Sequence, residues 1–283
     1  MAIGEPRFPP DYILIGHLCR DVIGGYVRTG GTVFYAGITA ARLGRRVGIV
    51  TAFGEPLPAE VGTMEVALVD STHTTTLDVR WTRSGRQLRL LERAASITPA
   101  GVPEAWRSAP LVHLAPIADE LSPDLAELFP NSTIVATPQG WLREWGADGC
   151  AAPRRVPQPW GGDDRISVLV LSIEDLGGDA SLGSHLARTT PICVVTEGAL
   201  GYTLYLRGQG QRYPSFPASE VDPTGAGDVF AAAFFIRYSE TGDPVGSGRF
   251  AAAAASLSVE GAGISRIPVR SEVAARLELW SAG

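Results

Sequence analysis

The residues best suited to chemistry form one glycine-rich segment with an aspartate at each end, Asp222-Pro-Thr-Gly-Ala-Gly-Asp228. Gly225 to Gly227 stand directly before a run of helix-forming apolar residues. Small residues there let the backbone approach an anion, and the first N–H groups of a helix have no acceptor within the helix, so they point at that anion. Phosphoryl transfer needs such a cradle, because negative charge accumulates on the transferring oxygens.

Asp228 follows the cradle by one residue, where its carboxylate is placed to take a proton from an attacking hydroxyl. The alternative interpretation is an ordinary glycine-rich helix start, with an acid favoured by the helix dipole. A bare Gly-x-Gly would favour that alternative, but the pattern here extends over seven residues. The sequence therefore predicts an anion site with Asp228 as a general base.

Alternating strand and helix patterns predict the framework that positions this segment. The apolar run Tyr12 to Gly16, an alanine-rich helix from Val33 to Leu43 and a strand from Val47 to Thr51 follow one another with short links, which implies parallel strands. Further strands are predicted at 111–114, 133–136, 168–171 and 192–196, a hairpin at 201–213, and helices at about 226–239 and 246–260. We expect an α/β fold with a central, mostly parallel sheet flanked by helices.

Residues 61–94 have a different pattern, with strands predicted at 66–69, 74–81 and 87–91 and a hairpin turn at Ser84-Gly85. They predict a small antiparallel β extension that caps the site or pairs with a second subunit, because its edges are open. No linker interrupts the main body, so we expect a single domain over 1–283. A small β lid is contributed by parts of 12–35 and 66–94.

Composition excludes several other classes. The chain has 283 residues, is 45% apolar and 19% charged, and carries a net charge of −6 without a basic cluster, so we expect a globular protein that binds no nucleic acid. Three cysteines and four histidines lack the spacing of a zinc site or a disulfide framework. We find no signal-peptide pattern, and the most apolar helical stretch, 229–236, is too short to span a bilayer, so we expect a cytoplasmic protein without a membrane partner. Gly16 opens no Gly-x-Gly-x-x-Gly pattern, which argues against a dinucleotide-dependent redox enzyme.

The seven-residue segment resembles the C-terminal signature of the ribokinase-like (PfkB) carbohydrate kinase family. Gly16-His-Leu-Cys-Arg-Asp21 resembles that family's first strand, which closes on a substrate-binding aspartate, and Gly30-Gly31 resembles its paired glycines beside the substrate. Thr196-Glu-Gly-Ala-Leu-Gly201 is similar to its nucleotide segment, and Ser172-Ile-Glu-Asp175 falls where the family carries Asn-x-x-Glu. The resemblance covers nearly the whole chain.

This resemblance implies a ribokinase-like fold and an ATP-dependent kinase acting on a hydroxyl of a small polyol or sugar. It implies Asp228 as the base and an anion hole formed by Gly225, Ala226 and Gly227. The nucleotide contacts it implies are Thr196, Gly198, Gly201, Thr224 and Ser172, and the acceptor contacts are Asp21, Gly30, Gly31 and Gln139 together with Asp228. Mg²⁺ would be held through water by Asp175 or Glu174, and both remain candidates. Thr224 is also a candidate helix cap, and Arg143 is either a phosphate clamp or a surface residue.

Departures from the family pattern bear on the acceptor. Ser172 replaces the usual Asn, Asp175 replaces the usual Glu, and residues 32–35 lack the Asn that normally follows the paired glycines, which argues against ribose or fructose. The short segment between Asp21 and Gly30 predicts a reduced lid. The Asp-Pro-Thr form of the signature, Pro138-Gln-Gly and the stretch 74–87 look most like the inositol-kinase-like branch, so we expect a cyclitol such as myo-inositol. Another sugar, a nucleoside, or a non-catalytic binding relative are the alternatives, and a monomer and a homodimer both remain possible.

Overall fold

The computed structural model describes residues 9–82, 85–154 and 165–281. The strands in chain order are β1 (Tyr12–Ile15), β2 (Cys19–Ile23), β3 (Tyr26–Gly30), β4 (Val47–Ala52), β5 (Glu65–Val69), β6 (Thr75–Thr82), β7 (Gly85–Glu92), β8 (Leu111–Leu114), β9 (Thr133–Ala136), β10 (Arg143–Trp145), β11 (Ala151–Pro153), β12 (Ile166–Ser172), β13 (Ile192–Thr196), β14 (Tyr202–Leu206) and β15 (Gln209–Tyr213). The helices are α1 (Thr32–Arg42), α2 (Ala180–Leu186), α3 (Ala226–Thr241), α4 (Pro244–Ser258) and α5 (Arg270–Ser281).

Nine strands form the central sheet, in the order β15-β14-β13-β12-β9-β8-β1-β4-β5. Pairing is parallel from β13 to β5, and β14 and β15 add an antiparallel hairpin at one edge. The inner strands β1 and β8 are buried along their whole length, as apolar runs covered on both faces must be. The predicted α/β architecture is confirmed.

Helices cover both faces of the sheet. One apolar cluster combines residues of the sheet with residues of α1, α3, α4 and α5, and a second cluster lies on the opposite face with residues of α2. Alanines at 231–233 and 251–254 are buried where α3 and α4 pack against each other, since small side chains let two helices approach closely. The predicted helices at 33–43, 226–239 and 246–260 are confirmed to within two residues at each end. In the part of the chain that the structure describes, no helix is both long and apolar enough to cross a membrane.

A second sheet of four strands, in the order β3-β2-β6-β7, forms the lid. The short segment between Asp21 and Gly30 folds as a hairpin around Gly24-Gly25, and β2 pairs in parallel with β6. The strands at 74–81 and 87–91 are confirmed as the antiparallel pair β6–β7. The predicted turn at Ser84-Gly85 lies partly outside the described residues.

The strand at 66–69 does not belong to the lid, which corrects our expectation. It is part of β5 and pairs in parallel with β4 at the edge of the central sheet. A partly buried strand has the same residue pattern at the edge of a large sheet and in a small ribbon, so only its pairing partner distinguishes the two.

The base of the lid is fixed to the central sheet through buried polar groups. His17, which follows β1, has its Nδ1 2.7 Å from Thr75 Oγ1 and its Nε2 2.9 Å from the carbonyl oxygen of Ala95, on either side of the β6–β7 pair. The carboxylate of Glu120 accepts hydrogen bonds from the backbone N–H groups of His17, Ile117 and Ala118. These bonds tie both ends of the lid excursion to the ends of β1 and β8.

Candidate active site

A cleft of about 560 Å³ lies between the lid and the carboxyl ends of the parallel strands. The lid contributes Asp21, Ile23 and Val79, while Ser172 and Thr196 end β12 and β13. Ligands of open α/β sheets gather at this edge, because the loops that follow parallel strands meet there. The first turn of α3 closes the opposite wall.

The cleft brings together most of the residues predicted from sequence. Its lining includes Asp21, Gln139, Ser172, Glu174, Asp175, Thr196, Gly198, Gly201, Thr224, Gly225, Ala226, Gly227 and Asp228. Gly30 and Gly31 are not part of this lining. A Cβ atom at Gly30 would lie 2.0 Å from Asp21 Oδ2, so glycine at this position gives the Asp21 carboxylate its space. Gly31 is the N-cap residue of α1 and leads the chain from the lid into that helix.

The anion cradle is the start of α3. Gly225 is the N-cap residue, and the N–H of Ala226 donates to the carbonyl of Pro223 at 3.2 Å. The N–H groups of the first turn have no acceptor within the helix, and that of Gly227 is a donor that can face an anion. The helix dipole adds partial positive charge at the same end. The Asp228 side chain therefore faces the cleft beside the groups that would hold a phosphate.

Asp222 fixes the loop before the cradle. Its Oδ1 accepts from the N–H of Thr224 at 3.0 Å, and its Oδ2 accepts from the N–H of Gly263 and from Arg28 Nη1, each at 3.1 Å. Burial alone would raise the pKa of Asp222, but the bonds from Thr224 and Gly263 and the charge of Arg28 lower it to about 2. The carboxylate stays ionised and holds the loop in one shape.

Thr224 does not cap α3, which corrects one of our two expectations for this residue. The N-cap is Gly225, and no side chain caps the helix. The Thr224 hydroxyl accepts a hydrogen bond from Arg28 Nη2 at 2.6 Å and lines the cleft. Sequence reasoning missed Arg28. The sequence held the information needed to find it, because a hairpin that turns at Gly24-Gly25 pairs Arg28 directly with Asp21.

The wall below the lid is built around Arg143, which is buried and therefore not a surface residue. Its Nη2 donates to Gln139 Oε1 at 2.8 Å and to Asp175 Oδ1 at 3.1 Å. Gln139 Nε2 in turn donates to the Thr32 hydroxyl. Arg143 thus orients the amide of Gln139 from behind the cleft rather than clamping a phosphate within it.

The end of β12 carries the two acids considered for a metal. Asp175 accepts from Arg143 through Oδ1 and from the N–H of Ser172 through Oδ2, while the Ser172 hydroxyl accepts from the N–H of Glu174 at 2.9 Å. Within the described ranges, no group of three or more His, Cys, Asp or Glu side chains is arranged to hold a metal ion. A magnesium ion bound by one or two carboxylates together with phosphates needs no such group.

A buried polar chain leads from beneath α3 to the cleft. Tyr12 Oη lies 2.8 Å from His113 Nδ1, and His113 Nε2 lies 2.9 Å from Thr137 Oγ1, which lines the cleft. Burial raises the pKa of Tyr12 well above its usual value, and the charge of Asp228 adds to this shift. Burial lowers the pKa of His113 to about 3, so its imidazole is neutral near pH 7.

We expect His113 to destabilise the fold as the pH falls. Its pKa is about 3 in the folded chain and about 6.5 when unfolded, so below pH 6.5 the unfolded state binds the extra proton. Between pH 6.5 and 4.5 this linkage removes about 2–3 kcal/mol of unfolding free energy. Urea titrations of the wild type and of His113→Gln over this range would show a steeper loss in the wild type. Equal slopes would contradict the assignment.

Comparison with known proteins places these observations in context. Residues 179–270, which include the cradle, match the family described as pfkB family carbohydrate kinase. Inositol 3-kinase of Oryza sativa is 27% identical over 245 residues, covering 78% of this chain and 61% of that protein. Ribokinase of Bacillus subtilis is 44% identical over 96 residues, 34% of this chain and 33% of that protein. The chain thus spans less than two thirds of each of these two relatives. Cytidine kinase of Thermococcus kodakarensis is 24% identical, covering 81% of this chain and 88% of that protein.

Solved structures show the same fold. A pyrophosphate-dependent kinase in the ribokinase family, complexed with a pyrophosphate analog and myo-inositol, superposes with a TM-score of 0.73 at 20% identity and covers 93% of this chain and 99% of that one. Fructokinase from Xylella fastidiosa with bound ATP superposes with a TM-score of 0.74 at 19% identity and covers 96% and 99%. The fold of this chain is ribokinase-like, as the sequence resemblance implied.

Proposed function

We propose that this chain, of which residues 179–270 match the pfkB family carbohydrate kinases and whose fold is ribokinase-like, transfers the γ-phosphate of ATP to a hydroxyl of a small polyol or sugar. One observation carries the proposal. Asp228 lies in the first turn of α3 next to the backbone N–H groups of the cradle and lines the same cleft as Asp21 and Gln139. A base, an anion site and acceptor-binding groups thus face one space.

In the proposed reaction, Asp21 accepts hydrogen bonds from acceptor hydroxyls, and Gln139, oriented by Arg143, contacts the same molecule. Asp228 removes the proton of the attacking hydroxyl. The N–H groups of the cradle, that of Gly227 among them, stabilise the charge that develops on the transferred phosphate. Thr196, Gly198 and Gly201 provide the nucleotide wall, beside the small side chains Ala252, Ala255 and Ser256 of α4, which leave space for a flat base.

The acceptor we favour is a cyclitol such as myo-inositol. Supporting it are the similarity to inositol 3-kinase and the lack of the usual Asn in residues 32–35. The alternative acceptors have a contact surface too. Ile23 and Val79, two apolar lid residues, line the cleft, and one face of a nucleoside or of another sugar would pack against them. The similarity to cytidine kinase keeps a nucleoside as the second candidate.

The donor set at the end of β12 fits a magnesium ion, since Glu174 and Asp175 both line the cleft. When bound there, Mg²⁺ would neutralise phosphate oxygens and help to orient them. We infer that Glu174 is the acid that holds it through water. Asp175 instead balances the buried charge of Arg143.

We expect the two acids to differ on substitution. Glu174→Gln should raise the Mg²⁺ concentration for half-maximal turnover about tenfold, since it removes about 1.4 kcal/mol of interaction, and should leave the fold's stability unchanged. Asp175→Asn should lower the unfolding free energy by about 3 kcal/mol, because it removes the carboxylate that lies against the buried Arg143 guanidinium. Magnesium titrations of turnover and urea denaturation of both variants test this. The reverse pattern would assign the metal to Asp175.

The proposed function is tested by measuring ADP release from ATP and Mg²⁺ across a panel of cyclitols, sugars and nucleosides, with Asp228→Asn as the inactive reference. We expect one acceptor class, cyclitols first, to raise turnover well above background. If no acceptor did so and Asp228→Asn behaved like the wild type, the chain would be a non-catalytic nucleotide- or sugar-binding protein. The same panel with pyrophosphate in place of ATP identifies the donor.

A further inference from the structure

The cleft has an unusual charge balance for a site that would receive a polyphosphate. Among the described residues that line it are five acids, Asp21, Glu174, Asp175, Glu220 and Asp228, and no basic residue. The sequence contains no lysine, so all 24 of its basic residues are arginines. Phosphoryl transfer concentrates negative charge on the moving group, and side-chain cations or metal ions normally neutralise it. A side-chain cation that does so here would be an arginine from outside the described lining residues.

Arg28 is placed to do this. It lies on the lid strand β3, directly opposite Asp21 on β2, and opposed residues of an antiparallel pair share one face of the sheet. Asp21 lines the cleft, so Arg28 projects from the cleft side of the lid. Its guanidinium reaches the cradle loop, with Nη2 2.6 Å from Thr224 Oγ1 and Nη1 3.1 Å from Asp222 Oδ2.

The cradle loop does not depend on its contacts with Arg28 for its shape. Asp222 keeps its bonds to the N–H groups of Thr224 and Gly263 when the guanidinium is removed, so the loop has its own support. The Arg28 Nε atom is buried and has no hydrogen-bond partner, and the side chain is 35% exposed. A guanidinium whose Nη1 and Nη2 atoms lie at the cradle loop, beside a hydroxyl that lines the cleft, can bind a phosphate with two parallel hydrogen bonds.

We propose that Arg28 is a phosphate-binding residue carried by the lid, which contacts the terminal phosphate of the donor on the cradle, so that lid closure and charge neutralisation occur together. The inference rests on the proposed phosphotransferase function. Exchanging Thr224 and Asp222 for a phosphate keeps the Nη1 and Nη2 donors of the guanidinium engaged. Arg28 would then be a catalytic residue, since it touches the group in transfer.

The test compares binding of ATP and of ADP, each with Mg²⁺, to the wild type, Arg28→Met and Arg28→Lys by calorimetry. Arg28→Met should raise the Kd for ATP at least tenfold and change the Kd for ADP less than threefold, because ADP lacks the terminal phosphate. Arg28→Lys should fall between, since it keeps the charge and loses the planar fork. Turnover of Arg28→Met should fall about 10²-fold, as for the loss of one donor to a developing oxyanion.

Arg80→Met is the matched control, since Arg80 is an exposed lid arginine whose partner is Asp78 on the same strand, and it should behave as the wild type. If Arg28→Met weakened the binding of ATP and of ADP equally, Arg28 would only hold the lid against the cradle loop, and the proposal would fail. Unchanged binding and turnover would also overturn the proposal. If the wild type binds ATP but phosphorylates no acceptor, the proposed function fails, while the difference between ATP and ADP still decides the role of Arg28.

Discussion

Replacing Asp228 by asparagine is expected to lower kcat by about 10³-fold, within the range for loss of a positioned general base. The amide has nearly the shape of the carboxylate but cannot accept the proton of the attacking hydroxyl. The backbone cradle and the acceptor groups remain, so the Kd for ATP should change less than threefold. Single-turnover kinetics with the best acceptor, together with calorimetry for ATP, separate the chemical step from binding.

Glu220→Gln is the matched control for this experiment. Glu220 is an exposed acid that lines the same cleft and takes no part in the proposed reaction, so its kcat should stay within twofold of the wild type. If kcat for Asp228→Asn stayed above about a tenth of the wild-type value, the decrease would be smaller than the one expected for loss of a general base. The assignment of Asp228 would then be withdrawn.

Gly225→Ala is expected to lower the unfolding free energy by about 2–4 kcal/mol and to abolish turnover, through overpacking and a left-handed backbone combined. Gly225 has φ 79°, and a Cβ atom there would lie 2.3 Å from Cδ1 of Tyr35, whose ring is buried in α1. The chain relieves this contact only by moving the loop, which displaces the N–H groups of the cradle. Urea denaturation and turnover of the same preparation measure both effects.

Gly227→Ala provides the contrast, because a Cβ atom at Gly227 would meet no atom within 4 Å and the residue lies inside α3. We expect its stability to equal or exceed that of the wild type, since alanine favours a helix more than glycine does. The added methyl group would project into the space beside the cradle, so the Kd for ATP should rise. If Gly225→Ala were as stable and active as the wild type, the close packing of Tyr35 on the cradle would have no functional role.

Local sequence determined the cradle and much of the sheet. The cradle is contained in residues 222–228, where glycines, a helix start and an acid follow one another, so its parts can be read from one short segment. Buried parallel strands are continuous apolar runs, which is why β1, β8, β9, β12 and β13 were all predictable. Asp21, Thr196 and Ser172 were placed correctly at the cleft because each stands at or near the end of a predicted strand or in a recognisable segment.

Tertiary structure alone decided how charges are paired around that cradle. Arg28 meets Asp222 across 194 residues, and Arg143 meets Asp175 across 32, distances over which no residue period carries information. The same limit left Glu174 and Asp175 indistinguishable and placed the strand at 66–69 in the wrong sheet, since an ion pair and a strand pairing both depend on the partner. The sequence thus specified the segment where we propose that a phosphate binds, and only the folded chain showed that the lid brings Arg28 to that segment.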